Sequence, residues 1–195
     1  MKKRILVTGG TGYIGSHTAV ELIENGYEVV IIDNLYNSDA QTAKRIGEIT
    51  GTKPHLEVFD ICDSKKLTKF LGRKGSISAI IHFAAFKAVG ESVNKPLDYY
   101  RNNLVSLMNL LDAMIVHQIP SIVFSSSCTV YGQPEKLPVT EDTPVQPAIS
   151  PYRNTKQIGE EIISDTISAN PGIKAISLRY FNPIGAHPSG LIGEL

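Results

Sequence analysis

Short apolar runs alternate with longer amphipathic stretches along most of this chain. Arg4–Thr8 reads as a buried strand, and a helix from about Tyr13 to Asn25, closed by Gly26, follows it. Glu28–Asp33, rich in β-branched residues, is a second strand. A polar loop over Asn34–Asp39 and a helix to about Thr50 come next. Leu56–Phe59 predicts a third strand, Ser64–Leu71 a helix and Ser78–Phe83 a fourth strand. Pro96 opens a long predicted helix to about His117, with Leu104, Leu107, Leu111 and Met114 on one face. Ser121–Ser126 is a fifth strand, and the proline-rich Tyr131–Ile149 stretch reads as an extended loop. Ser150 is suited to N-cap a helix with Pro151 at its first position, and Ile173–Arg179 is a sixth strand.

Six short strands separated by helices predict an α/β fold. It is a Rossmann-type doubly wound parallel sheet with helices on both faces, in the order 3-2-1-4-5-6. Ligands should then lie at the carboxyl ends of the strands. Composition does not disturb this picture: 42% of residues are apolar and 19% charged, as in globular chains. The 19 basic and 19 acidic residues balance without a long basic block, which argues against a nucleic-acid surface. Cys62 and Cys128 form no C-x-x-C pair and fit a reducing compartment. After the basic start Met1–Arg4 the apolar run Ile5–Val7 is too short for a signal peptide or membrane span, so a soluble cytoplasmic protein is expected.

Chemistry gathers where strands are predicted to end. Gly9, Gly10, Gly12 and Gly15 satisfy both G-x-G-x-x-G and G-x-x-G-x-x-G after a strand and before a helix. Glycines there allow a tight turn and let a pyrophosphate reach backbone N–H groups at a helix N-terminus. Asp33 ends the second strand, close to the ~20-residue spacing at which an acid accepts from an adenosine ribose and repels a 2′-phosphate. That favours NAD over NADP; the lesser alternative is a strand-end aspartate that caps a turn. Asp60 could meet adenine or simply form a turn, and Phe83-Ala84-Ala85 could let a cofactor pass over the fourth strand.

Tyr152 and Lys156 stand four apart at the start of the helix opened by Ser150, so they share a face. An ammonium beside a phenol lowers the phenol's pKa, as a catalytic base requires. An ordinary exposed turn gives the same spacing. Ser125-Ser126-Ser127 end the fifth strand on the same rim, where a hydroxyl could bond the oxygen that Tyr152 deprotonates. Cys128 reads as a small hydrophobe rather than a nucleophile. His17, His55, His82, His117 and His187 show no ligand spacing, and no metal is expected.

Together Val7–His17, His82–Ser92, Phe124–Gly132 and Arg179–Gly190 give a chain that resembles the extended short-chain dehydrogenase/reductase family, and within it the nucleotide-sugar epimerases. The resemblance implies NAD as a retained cofactor and the interconversion of UDP-glucose and UDP-galactose through a 4-keto sugar. It implies that Tyr13 and Ile14 meet the pyrophosphate; that Asp33, Asn34, Leu35, Tyr36, Asn37 and Ser38 surround the adenosine ribose; and that Asp60 and Ile61 hold adenine. Phe83, Ala84, Ala85, Phe86, Lys87, Asn102 and Phe181 would line the path to the nicotinamide. Ser127, Tyr152 and Lys156 would be the catalytic set, and Asn182 would touch the nucleotide sugar with Ser127 and Tyr152.

Three departures stand out. The family usually has Gly-Leu at Ala85-Phe86, and an extra methyl there would crowd the cofactor. It has glycine after the catalytic tyrosine, whereas Arg153 here would add a cation near the phenol. It also continues past Gly193-Glu194 into a substrate domain. Residues 1–181 are therefore expected to form the NAD-binding domain and 182–195 to begin a truncated substrate-binding region. A homodimer is a further implication. A non-catalytic NAD-binding module is one competing reading. A nucleotide-sugar dehydratase or decarboxylase is another, disfavoured because Cys128-Thr129-Val130 carries no acid for water elimination.

Overall fold

In the computed structural model, which describes residues 2–194 apart from the side chain of Lys74, alternation along the first strand sets up two layers. β1 (Arg4–Thr8) sends Ile5 and Val7 to one face and Leu6 to the other. It pairs in parallel with β2 (Glu28–Asp33) on one side and β4 (Ala79–His82) on the other. β3 (His55–Val58), β5 (Ser121–Ser127) and β6 (Lys174–Tyr180) complete a six-stranded sheet in the order β3-β2-β1-β4-β5-β6. This is the doubly wound Rossmann-type sheet that the pattern predicts.

On one face Ile5, Val7, Val29 and Ile31 pack with Ala19 and Val20 of α1 (Tyr13–Glu24) and Ile46 of α2 (Gln41–Thr50). On the other, Leu6, Val30, Ile80, Ile122 and Phe124 meet α3 (Ser64–Lys74), α6 (Ser106–Val116) and α7 (Pro151–Ala169). Each fully buried Leu or Ile in these layers stabilises the fold by roughly 1.5–3 kcal/mol relative to exposure. β6 is treated differently: Ile176 and Leu178 are 59% and 39% exposed.

The long helix predicted from Pro96 is broken. α4 (Val89–Asn94), which the pattern does not predict, precedes α5 (Pro96–Tyr100), and a π-helical turn at Arg101–Val105 leads into α6. The wider turn changes the helix phase. Leu104 is consequently only half-buried, and Asn103 takes the inward position. Small boundary shifts occur in β3 and β4, and a 3-10 turn, Cys128–Tyr131, follows β5. Met1 and Leu195, at the outer ends of the two expected domain ranges, lie outside the described residues.

Candidate active site

The carboxyl ends of the strands open into one trench of about 1250 Å³. At one end lies the loop between β1 and α1. Gly9 has φ +70°, and a Cβ on it would sit 2.6 Å from the Ala84 nitrogen. A Cβ on Gly15 would sit 2.2 Å from the Gly9 carbonyl oxygen. No side chain can occupy either place without moving backbone, so the glycines let β1, β4 and α1 converge. Asp33 is 8% exposed and lines the trench. Its carboxylate accepts from Thr11 N (3.1 Å), Leu35 N (2.9 Å) and Ser38 Oγ (3.1 Å). Asp33 thus ties the β2 loop to the glycine loop, and a carboxylate with about four acceptor sites retains capacity for one more donor.

Gly9, Gly12, Tyr13, Ile14, Gly15, Asn34, Tyr36, Asn37, Asp60 and Ile61 all line the trench. Leu35 and Ser38 do not line it; they brace Asp33 from behind. Asp60 accepts from Cys62 N (2.8 Å), so it makes the turn that was its alternative reading while still facing the trench. Phe83, Ala84, Ala85, Phe86, Lys87 and Asn102 form the middle of the wall, and Phe181 and Asn182 its exposed margin.

At the other end α7 presents the tyrosine and lysine. Ser150 Oγ accepts from Arg153 N (3.3 Å) and Pro151 is the first helical residue, as predicted. Lys156 is 4% exposed. Its ammonium donates to Ser125 O (2.5 Å) and lies 5.0 Å from the Phe124 ring centre and 5.9 Å from that of Tyr152. Burial pulls the Lys156 pKa down to about 8, opposed by the Glu160 carboxylate. Ser127 is buried and accepts from Thr129 N and Thr129 Oγ1 at 3.2 and 3.0 Å. Ser127, Tyr152 and Lys156 therefore meet at one place.

Two expectations change here. The Tyr152 phenol is not lowered by its lysine neighbour in this structure. Burial raises it above the ordinary tyrosine value, although the Ser127 hydroxyl pulls the other way. Arg153 does not place a cation at the phenol either. Its guanidinium, 4% exposed, turns onto Val130 O (3.1 Å) and Gln146 O (2.5 Å). Gln157, one turn later, donates to the same two carbonyls. Both side chains fasten the proline-rich stretch to α7.

Several contributing residues escape the sequence reading. Asn103 Oδ1 accepts from Phe86 N (2.8 Å), and its amide donates to Phe86 O and to Thr155 Oγ1, each at 3.1 Å. It joins the trench wall to α7, and only the π turn puts it there. Glu160 accepts from Ser126 Oγ and from Arg179 Nε (3.0 Å) and Nη2 (2.7 Å). The i, i+4, i+8 spacing of Tyr152, Lys156 and Glu160 is the signal that could have found it. His82 is fully buried and shares a 2.7 Å hydrogen bond with Thr8 Oγ1; burial, then the Lys156 charge, draws its pKa down to about 3. Cys128 is partly buried and burial raises its thiol pKa, the opposite of activation. Among the described residues no group of three or more His, Cys, Asp or Glu could hold a metal ion.

Comparison with known proteins places this geometry. Residues 5–195 match the family model described as the NAD dependent epimerase/dehydratase family. The UDP-glucose 4-epimerase of Dictyostelium discoideum is 51% identical over 191 residues, covering 98% of this chain and 55% of that protein. The human UDP-glucose 4-epimerase is 49% identical over 200 residues, covering 100% and 57%. Among solved structures, the chain is similar to UDP-glucose 4-epimerase from Bifidobacterium longum in complex with NAD+ and UDP. The TM-score is 0.96 at 45% identity, covering 98% of this chain and 57% of that one. It is also similar to the Stenotrophomonas maltophila enzyme with bound NAD and formylated UDP-arabinopyranose: TM-score 0.95, 46% identity, covering 99% and 57%. The chain spans about half the length of the curated relatives it matches.

Proposed function

We propose that this chain, which belongs to the NAD dependent epimerase/dehydratase family, carries the NAD site and catalytic set of an isomerase interconverting UDP-glucose and UDP-galactose. One observation supports this most strongly: the glycine loop with Asp33 and the Ser127–Tyr152–Lys156 group open into the same trench. The residues fit a dinucleotide. A Cβ would fill the closest approaches at Gly9 and Gly15, α1 begins at Tyr13 beside the loop, and Asp33 keeps acceptor capacity. Gly12, Tyr13 and Ile14 would hold the pyrophosphate. Asp33, Asn34, Tyr36 and Asn37 would hold the adenosine ribose, with Leu35 and Ser38 as braces. Asp60 and Ile61 would take adenine, and Phe83 to Lys87, Asn102 and Phe181 the nicotinamide side.

NAD, when bound, supplies a hydride acceptor and donor and a positive charge near the phenol. The protein's own part is proton handling. Tyr152 takes the proton of the sugar 4-hydroxyl and returns it after the 4-keto sugar has turned over. Ser127 bonds the same oxygen and fixes its distance from the phenol. Lys156 holds a positive charge 5.9 Å from the Tyr152 ring centre, and both it and Ser127 are buried. Asn182, at the trench margin, would contact the nucleotide sugar; residues 1–181 would form the cofactor domain and 182–195 the start of the substrate region. A cytoplasmic homodimer belongs to the same proposal and is tested by cell fractionation and analytical ultracentrifugation.

The assay is direct: purify the chain, look for co-purified NAD, then supply UDP-galactose and measure UDP-glucose. Tyr152→Phe should lower any epimerisation by ~100-fold or more with NAD retained; survival of the activity would sink the assignment. The exposed margin at Phe181 and Asn182 favours a second reading as a cofactor-binding module. Bound NAD without turnover supports that reading.

A further inference from the structure

We propose that Glu160 is a positioning residue for the Tyr152–Lys156 pair: its carboxylate, aimed by Arg179 and Ser126, keeps the buried Lys156 amine charged. The geometry is built across three elements. On α7, Tyr152, Lys156 and Glu160 follow one another at single-turn spacing along one face. On β5, successive residues hold the two charged ends: Ser125 O accepts from Lys156 Nζ at 2.5 Å, and Ser126 Oγ donates to Glu160 Oε1. On β6, Arg179 grips both Glu160 oxygens, at 3.0 Å through Nε and 2.7 Å through Nη2. Arg179 is itself fixed by Tyr131, whose hydroxyl accepts from Nη1 at 3.0 Å and whose ring centre lies 4.9 Å from the guanidinium.

A buried lysine tends to lose its proton because the charged form is poorly solvated. The titratable and charged groups around Lys156 are Tyr152 and Glu160 on α7, His82 on β4 and Arg179 on β6. His82 is neutral at pH 7, and burial raises the Tyr152 pKa, so neither offers a negative charge. Glu160 does, and Arg179 and Ser126 help hold it ionised although half-buried. A purely structural role, pinning α7 to β6, would leave the Lys156 titration where it is.

The test reads that titration in the full chain without cofactor, by ¹³C NMR of ε-labelled lysine, with the Lys156 signal assigned by its loss in Lys156→Arg. The midpoint should lie near pH 8 and fall by ~1 unit or more in Glu160→Gln. Glu160→Asp should restore most of it. Because Glu160→Gln leaves Arg179 as an unpaired cation, the double variant Glu160→Gln/Arg179→Met serves if the single one fails to fold, and should show a smaller fall in the same direction, since a cation is removed with the carboxylate. Where turnover is measurable, the alkaline limb of kcat/KM should move down with the midpoint. The proposal rests on the proposed function only for the role of Tyr152 as the base that Lys156 serves. A midpoint unmoved by loss of Glu160 overturns it whether or not the chain turns over. A midpoint that moves in a chain with neither NAD nor turnover supports it, and overturns the proposed function instead.

Discussion

The two ends of the trench are held by different kinds of bond. At the glycine end backbone groups do most of the holding: Gly9 N donates to Ile32 O, Phe83 N and Ala84 N donate to Thr8 O, and one side chain, the Asp33 carboxylate, collects the Thr11 and Leu35 N–H groups. At the tyrosine end, charged side chains do the holding: buried Lys156 on a carbonyl, buried Arg153 on two, and partly buried Glu160 between Arg179 and Ser126. Backbone contacts fix shape but carry no proton that titrates near neutrality. Side-chain contacts fix shape less tightly but place charge where a proton must move. The first arrangement suits a constant ligand surface and the second suits chemistry.

Breaking the backbone-held end should cost most. Gly15→Val drives its Cβ into the Gly9 carbonyl and should destabilise the fold by about 3 kcal/mol, read as a lower denaturant midpoint, with loss of NAD retention. Retention of both would mean that the loop yields where the packing says it cannot.

The next effect is a pH dependence at the seam between the two ends. The folded-state His82 pKa is about 3, against 6.5 for the free side chain. The unfolded chain therefore binds a proton below pH 6.5 that the folded chain refuses until about pH 3. Stability from a neutral His82 is complete above pH 6.5 and is lost as pH falls. It should drop by about 2 kcal/mol between pH 6.5 and 5, where the lowered carboxylates Asp63, Glu91 and Glu160 do not yet contribute. In His82→Asn that limb should be flat, as checked by urea unfolding at several pH values.

The smallest effect sharpens the side-chain-held end. Arg153→Met removes one of two side-chain donors to Val130 O and Gln146 O, while Gln157 remains. A loss of about 1 kcal/mol is expected. Limited proteolysis should cut within residues 133–149 faster than in the native chain; unchanged cleavage would mean that Gln157 alone holds the stretch.

The same contrast explains what could be read from the sequence. β1, the glycines, Asp33 and the Ser150–Pro151 helix start obey rules of neighbouring residues, so their types and spacing were enough. The strand order followed from the glycine turn after β1, which marks a Rossmann-type arrangement of alternating strands and helices. Arg153 was misread because the target of a long side chain is set by how the chain folds back, here onto the carbonyls of Val130 and Gln146, which precede α7. Arg179 gave no signal on its own: it becomes Glu160's partner only once β6 lies beside β5. The Tyr152 phenol was expected to fall because adjacency to Lys156 is visible in sequence, whereas burial, which raises it, is not.

The π turn at Arg101–Val105 bears on how this protein should be aligned with its relatives. Each residue of an α-helix advances the direction of its side chain by about 100°. The wide turn acts as one retained extra residue, and it brings Asn103 inward to join Phe86 and Thr155. A one-residue gap placed anywhere in this stretch is therefore a rotation, not a change of length. It would leave the downstream leucines of α6 matched by letter while reassigning which neighbour of Asn103 looks into the fold. Variants and homologues should be compared here by angular phase, since percent identity is blind to it.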